Sequence, residues 1–333
     1  MAVITVYLGT KRQDIPAFRQ AISSKQAGLA PIIASFSLLT LYLLTKYTAI
    51  DPSVIYRFGA SFVGATAATA TTRSLLDAFF PIPSQSNIKV PSKFGKFVNS
   101  FSMQALESGS NESLPPSKLL AFFGVAFFTI AYLAPPVDLH YTFLVSNYLA
   151  WCIGMQTIGM ITIQNFATAC IFLGGLFFYD IYWVFFSDVM TTVATNIEAP
   201  VKFLYPLSGE IIRDYPFAVI GLGDVVIPAI AISLLRNLDK QLHQKSKRSE
   251  KIGMYKRKGK LSNFEFGCLA YALGLMSCFV GGAIMGKGQP ALLYLSPSVI
   301  VSALVSSGLN GEIDELMDFK QESVVDALEL DKD

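Results

Sequence analysis

Long apolar runs alternate with shorter polar segments along nearly the whole chain. Eight of these runs have 16 to 22 residues each, close to the number that a helix needs to cross a bilayer core about 30 Å thick. The strands of a transmembrane barrel would instead alternate apolar and polar residues, and these runs do not. The pattern therefore predicts an all-α polytopic membrane protein. The eight predicted spans are Leu29–Tyr47, Ser53–Thr72, Lys118–Leu133, Tyr141–Ile161, Thr168–Ser187, Tyr215–Leu235, Phe264–Met285 and Pro290–Leu309.

Composition and charge agree with a membrane protein. The chain of 333 residues is 52% hydrophobic and 15% charged, whereas soluble domains carry about 25% charged residues. Positive charge concentrates in the segment Arg236–Lys260, and membrane proteins keep such segments in the cytosol. A patch that binds lipid headgroups or nucleic acid is the other interpretation of this run, but orientation accounts for it without a partner. Alternation of the spans then places the C-terminus in the cytosol as well.

Two aspartates interrupt the apolar runs. Asp180 lies within "FFYDIYWVFF", and Asp224 lies within "GLGDVVIPAI". An ionised Asp at a helix centre costs about 2.5–3.5 kcal/mol on insertion scales, so acids inside membrane spans indicate a function. A purely structural hydrogen bond between helices, made by a protonated Asp, is the alternative.

The two carboxylates are expected to meet. At about 1.5 Å per residue, Asp180 lies ~18 Å from the start of its span at Thr168, and Asp224 lies ~14 Å from the start of the next span at Tyr215. Consecutive antiparallel helices then bring both acids to nearly the same level of the bilayer. Two close carboxylates share one proton, so one can activate a water while the other protonates a carbonyl oxygen. The same pair could move protons or bind a cation, so the acids alone do not separate a protease from a transporter.

The chain around the acids is rich in residues that loosen helices. Gly221 and Gly223 place no side chain beside Asp224, and Pro228 lacks the N–H that would bond the carbonyl of residue 224. A second break follows near Pro290, in "MGKGQPALLYLSP". Irregular backbone at membrane depth is tolerated where it lines a cavity or meets a partner. A protease needs such a place to hold an unwound peptide by strand addition, although transporters use broken helices too.

Three motifs, in order on separate predicted spans, resemble a known family. They are "YD" at Tyr179-Asp180, "GLGD" at Gly221–Asp224 and "QPALLYL" at Gln289–Leu295, and they are similar to the three signatures of the signal peptide peptidase family of intramembrane aspartyl proteases. Longer stretches, such as "GGLFFYDIYWVFF", are similar to that family as well. The likeness extends from Pro31 to Gly311, and it is weak in the loop Arg73–Ser117 and in much of the third and fourth spans.

The resemblance implies roles for the residues at matching positions. Asp180 and Asp224 would be the catalytic aspartates, one as general base and the other as general acid, and Tyr179 would neighbour them. The fold would have nine spans, and the reaction would use no metal and no other cofactor. The further residues that would shape the active site are Gly221, Leu222, Gly223, Gln289, Pro290, Ala291 and Leu292.

The resemblance also implies a substrate class and a location. The enzyme would hydrolyse peptide bonds within type II-oriented membrane segments, such as signal peptide remnants, in the endoplasmic reticulum membrane. Homo-oligomers and membrane quality-control proteins are candidate partners, and nucleic acid is not. Presenilin does not fit, because its active-site helices run opposite to the direction that the basic segment Arg236–Lys260 implies. Two other hypotheses stay open, a scaffold that binds stray membrane helices and a proton- or cation-coupled transporter that uses the same Asp pair.

Four regions follow from these assignments. The first, 1–28, contains a cytosolic segment and the apolar "MAVITVYLG" at Met1–Gly9, which is too short to span a bilayer and lacks the features of a signal peptide. We interpret it as the stub of a ninth helix. The N-terminal membrane helices occupy 29–161 with a cytosolic loop at 73–117, the catalytic membrane region occupies 162–310, and a cytosolic acidic tail occupies 311–333.

Overall fold

The structure, a computed structural model, shows helices joined by short strands and turns. It describes residues 1–11, 20–47, 52–79, 87–101, 113–133, 139–196, 199–206, 217–250, 261–286 and 288–321. The second part of the predicted basic segment, 251–260, and the end of the acidic tail, 322–333, lie outside the described residues. The chain forms two compact units, one made of 1–48, 157–194 and 223–333, the other of 49–156 and 195–222.

Most of the described residues belong to helices. Five of the helices, α2, α5, α7, α10 and α11, are long and apolar enough to cross a membrane, so a polytopic helical membrane protein is confirmed, while the full number of spans stays a prediction. The helices are α1 (Ala2–Lys11), α2 (Ser24–Tyr47), α3 (Pro52–Phe79), α4 (Ser92–Phe101), α5 (Pro116–Leu133), α6 (Leu139–Met160), α7 (Phe166–Phe185), α8 (Val189–Asn196), α9 (Leu222–Glu250), α10 (Asn263–Met285), α11 (Ala291–Asn310) and α12 (Ile313–Asp318).

Helix α2 exposes a large apolar face. Ala27 is buried within the protein, whereas Ile32, Ile33 and Phe36 are 64%, 64% and 74% exposed. Contiguous apolar surface of this kind is rare on a soluble monomer, and Ile and Phe are among the side chains that insert most favourably into a bilayer. The outward face of α2 is therefore suited to contact lipid.

Short strand pairs lie between the helices, and the apolar pattern did not predict them. One pair is parallel and belongs to the first unit, and two pairs are antiparallel and belong to the second. Strands of two to five residues are too short to show a period of their own. The pairs within the described residues are β1 (Gln20–Ile22) with β4 (Ile161–Ile163), β2 (Ile88–Lys89) with β3 (Ser113–Leu114), and β5 (Lys202–Pro206) with β6 (Phe217–Gly221).

The predicted helical span Tyr215–Leu235 is wrong at its start. Residues Phe217–Gly221 form strand β6, and α9 begins only at Leu222. A short apolar run suits a buried strand as well as a helix, and pairing with β5 decides between them. At its other end α9 continues to Glu250, so the first part of the basic segment is helical rather than a loop.

The predicted linker Arg73–Ser117 is also more ordered than expected. Helix α3 runs on to Phe79, and α4 forms within the segment. The aromatic side chains of α4 pack on α5, with ring centroids 6.2 Å apart for Phe94 and Phe122 and 5.3 Å apart for Phe101 and Phe122. Val98 of α4 is fully buried in the same cluster, and Phe94 and Phe101 are partly buried against it, which explains how a segment rich in Ser and Asn keeps a helix.

In the first unit, α7 is held against α2 by close contact and a hydrogen bond. A Cβ on Gly175 would lie 2.6 Å from Cγ of Pro31, whereas a Cβ on the adjacent Gly174 would have no atom within 4 Å. Nearer the end of α7, the indole of Trp183 donates to the hydroxyl of Ser35 at 3.1 Å. Glycine at position 175 thus lets the two helices approach.

In the second unit, one buried side chain of α6 holds the strand pair β5–β6. The amide nitrogen of Asn147 donates to the carbonyl of Leu204 at 2.7 Å, and its oxygen accepts the N–H of Leu204 at 2.8 Å. Both backbone groups of Leu204 are therefore satisfied from outside the pair. At this point of β5, Asn147 takes the place that a neighbouring strand would fill.

We expect Gly175→Ala to lower the thermal stability of the detergent-purified protein and Gly174→Ala to leave it unchanged or raise it. The first substitution overpacks the contact with Pro31, and we expect it to lower the free energy of unfolding by about 1–3 kcal/mol. The second replaces a helical glycine with alanine in open space, which is favourable by roughly 0.5–1 kcal/mol. Equal shifts in the unfolding temperatures of the two variants would show that α2 and α7 do not depend on this contact.

Candidate active site

Asp180 lies in the last third of α7 and caps another helix. It is 2% exposed, and its Oδ2 accepts the N–H of Leu292 at 2.8 Å. Leu292 is the second residue of α11, and Pro290, the N-cap residue of that helix, makes no side-chain cap bond. The first N–H groups of a helix have no partner within it. The carboxylate of Asp180 therefore caps the N-terminus of α11 in place of an N-cap side chain.

This contact offsets much of the cost of placing an acid in the bilayer. A hydrogen bond to a charged group contributes about 1.5–3 kcal/mol, and the positive end of a helix dipole adds up to about 2 kcal/mol in a partly buried site. The two together are of the same order as the roughly 2.5–3.5 kcal/mol that an ionised Asp costs on insertion. The start of α11 thus makes a charged Asp180 tolerable.

Asp224 lies in the first turn of α9, three residues after β6 ends. The depth predicted for it assumed a helix from Tyr215 onward, and that assumption is wrong because the preceding residues form a strand. Its place in the first turn brings the carboxylate to the positive end of the α9 dipole. The main-chain carbonyl of Asp224 accepts the hydroxyl of Tyr271, on α10, at 3.5 Å.

Two side chains of the first unit lie near both acids. The phenol of Tyr179 and the thiol of Cys278 each lie within electrostatic range of both Asp180 and Asp224. Tyr179 precedes Asp180 on α7, whereas Cys278 belongs to α10, so the two observations come from different helices. Among the described residues, no three His, Cys, Asp or Glu side chains come together as metal ligands do.

The other residues of the "QPALLYL" motif form the start of α11 and its contact with α10. Pro290 is buried and Ala291 is the first helical residue. Gln289 accepts the hydroxyl of Tyr294 at 3.5 Å. A Cβ on Gly281 of α10 would lie 2.5 Å from that same hydroxyl, so the two helices approach closely beside the motif.

The "GLGD" motif joins a strand to a helix. Gly221 is the last residue of β6, and the N–H of Leu222 donates to the carbonyl of Val201 at 3.0 Å. Gly223 is exposed and is the second residue of α9. Gly221 and Leu222 belong to the second unit, whereas Gly223 and Asp224 belong to the first. One of the four places at which the chain passes from one unit to the other therefore falls within the motif.

Sequence interpretation missed Tyr271 and Cys278, both on α10. They are seven residues apart, on a face of the helix that otherwise carries glycine, and the repeated spacing of four and three residues is the signal that could have found them. The glycines let neighbouring helices approach, since a Cβ on Gly274 would lie 2.6 Å from Oγ of Ser298 on α11. The residues of this face are Gly267, Tyr271, Gly274, Cys278 and Gly281.

The long apolar helices define the class, a multi-pass membrane protein. A protein-family model described as "Signal peptide peptidase" matches residues 15–323. The chain therefore belongs to the signal peptide peptidase family, as its three motifs predicted.

Curated relatives agree with this assignment. The chain is 29% identical over 335 residues to a probable intramembrane protease of Schizosaccharomyces pombe, an alignment that covers 99% of this chain and 96% of the relative. It is 29% identical over 344 residues to the signal peptide peptidase of Homo sapiens, covering 98% of this chain and 83% of the relative. A shorter match, 34% identical over 189 residues, covers 55% of this chain and 39% of intramembrane protease 2 of Caenorhabditis elegans. These similarities support intramembrane proteolysis.

We expect Asp180→Asn to unfold close to the temperature of the unmodified protein and Asp180→Ala to unfold at a lower one. Asn keeps a side-chain oxygen for the N–H of Leu292, whereas Ala leaves that buried donor unsatisfied, which costs about 1–3 kcal/mol. Thermal unfolding of the detergent-purified variants measures both.

The matched control is Asp77→Ala, which removes an acid paired with Arg73 at 3.5 Å on the surface, with the Asp77 side chain 46% exposed. Exposed pairs contribute only ~0–1 kcal/mol, so little change is expected there. A loss at Asp180→Ala no larger than at Asp77→Ala would show that α11 does not need this cap.

Proposed function

We propose that this protein is an aspartyl protease that hydrolyses peptide bonds within the membrane, using Asp180, Asp224 and one water. The observation that carries the proposal is the hydrogen bond, 2.8 Å long, between Asp180 of the first motif and the N–H of Leu292 in the third, which brings two of the three family motifs together in the helical region. Family membership supplies the class of reaction, and the paired acids supply the chemistry. A metal-free hydrolysis of this kind needs one acid charged and the other neutral.

The start of a helix stabilises a nearby carboxylate, and each acid lies at one: Asp180 accepts the N–H of Leu292 at 2.8 Å, and Asp224 lies in the first turn of α9. The roles of general base and general acid are therefore proposed for the pair, which shares one proton. The charged acid takes a proton from the water as the water oxygen bonds to the scissile carbonyl carbon, and the neutral acid gives its proton to the carbonyl oxygen. The acid that took the proton from the water then gives it to the nitrogen of the tetrahedral intermediate as the C–N bond breaks. The other acid takes a proton back from a hydroxyl of the intermediate as the carbonyl re-forms, so the dyad again holds one proton.

The substrate must present an extended segment to the acids. A helical peptide keeps its carbonyls in i→i−4 hydrogen bonds, and these have to open before water can attack. We propose that the protein holds the unwound peptide by strand addition, as peptide-binding proteins commonly do.

The proposed substrates are type II-oriented membrane segments, including signal peptide remnants, in the endoplasmic reticulum membrane. The signal peptide peptidase named in Homo sapiens supports this class. The orientation follows from the basic end of α9, where Arg236 and Lys240 follow directly on the apolar part of the helix and are expected in the cytosol. The C-terminus would then be cytosolic too.

We expect Asp180→Asn and Asp224→Asn each to lower the cleavage rate by at least about a thousandfold, because residues that act as a unit lose most of their effect together. The double variant should be no slower than either single one. The measurement is cleavage of a signal-peptide-like helix by detergent-purified protein, with and without a transition-state analogue of aspartyl proteases.

Asp77→Asn, on the surface, is the control and should cleave at the normal rate. Substantial cleavage by either active-site variant would remove the role proposed for that residue. If the unmodified protein binds the helix without cutting it, the scaffold hypothesis gains instead, and proton or cation flux in vesicles without cleavage would favour the transporter.

The orientation predicts where added glycosylation sites are modified. A sequon inserted within 188–213, well away from the membrane, should be glycosylated because that segment faces the lumen. A sequon inserted within 236–260 should stay unmodified because the positive-inside rule keeps it in the cytosol. Gel mobility before and after glycosidase treatment shows whether each inserted sequon is glycosylated. The opposite pattern would indicate a presenilin-like orientation and a different substrate class.

A further inference from the structure

We infer that Tyr271 is a positioning residue for Asp224, an inference that rests on the proposed function. Its hydroxyl supplies the hydrogen bond that Pro228 withholds from the main-chain carbonyl of Asp224. By doing so it holds the first turn of α9, from which the Asp224 carboxylate projects.

The need for an external donor follows from the sequence of α9. In an α-helix the carbonyl of residue 224 accepts the N–H of residue 228, but Pro228 lies inside α9 and has no N–H. Pro228 is also buried. Within a bilayer no bulk water can take the place of the missing donor, and helices that contain proline rely on neighbouring helices to satisfy the freed carbonyl.

Tyr271 is the side chain that meets this need. It is 0% exposed, and its hydroxyl donates to the carbonyl of Asp224 at 3.5 Å. The same phenol interacts electrostatically with Asp224. A buried tyrosine hydroxyl usually has a hydrogen-bond partner, and hydrogen bonds in unliganded active sites are often long and tighten when substrate binds.

Close contacts with α9 and with α11 fix the position of α10, and therefore of Tyr271. A Cβ on Gly267, one turn earlier, would lie 3.1 Å from Leu235 of α9, and a Cβ on Gly274, one turn later, would lie 2.6 Å from Ser298 of α11. Helix α10 is therefore held between the helix that carries Asp224 and the helix that Asp180 caps. A hydroxyl on this helix can fix one acid relative to the other.

The test is a double-substitution cycle on cleavage. Tyr271→Phe keeps the ring and removes only the donor, and we expect it to lower kcat about tenfold with KM unchanged, since the substrate contacts are intact. In a protein that also carries Pro228→Ala, the restored N–H can bond the carbonyl of Asp224. There the same Tyr271→Phe change should lower kcat less than twofold.

A second double-substitution cycle measures the effect of this hydrogen bond on thermal stability and needs no enzymatic activity. The unfolding temperature should fall on Tyr271→Phe in the unmodified protein and fall less when Pro228→Ala is present, because contacting residues couple in such cycles. This arm stays informative even if no substrate is cleaved, which separates failure of this inference from failure of the proposed function. No coupling in unfolding would overturn the inference by itself.

Two further variants distinguish the effect of the Tyr271 hydroxyl on kcat from the effect of its ring. Tyr148→Phe removes another tyrosine hydroxyl, one that lies 2.5 Å from the hydroxyl of Thr72 in the second unit, and should leave kcat unchanged. Tyr271→Leu removes the ring as well, and Pro228→Ala should not rescue it. A loss of kcat on Tyr271→Phe that is equal with and without Pro228→Ala, or no loss at all, would overturn the role assigned to the hydroxyl.

Discussion

A carboxylate among apolar helices needs a hydrogen-bond donor and a compensating charge, and in this protein both come from the starts of helices. Asp180 accepts the second N–H of α11, and Asp224 lies in the first turn of α9. The donor groups that a helix start leaves unpaired are the groups that a membrane acid requires. The rest of the first unit is arranged around holding these two helix starts in place.

Close helix contacts provide that arrangement. The glycines of α10 bring it against α9 and α11, and Gly175 does the same for α7 and α2. These contacts matter for the proposed chemistry because two acids can share a proton only when their separation is well defined. Tyr271 and Cys278, on the same face of α10, then lie within electrostatic reach of the acids as a consequence of packing.

The strand before Asp224 changes how the site is built. A continuous helix would have placed Asp224 in mid-helix, with its neighbouring N–H groups already bonded. The pairing of β5 with β6 ends at Gly221, so the helix starts late and Asp224 lies in its first turn, where the N–H groups have no partner within the helix.

The sequence by itself determined the membrane class, the two acids and the family, because runs of some twenty apolar residues and the motifs around Asp180, Asp224 and Pro290 are local properties of the chain. Only the tertiary structure decided that Phe217–Gly221 is a strand and that Asp180 caps α11. It also showed that the hydroxyl of Tyr271 donates to the main-chain carbonyl of Asp224. Apolar runs specify burial but not the partner, and a hydrogen bond between residues 47 or 112 positions apart leaves no periodic trace in the sequence.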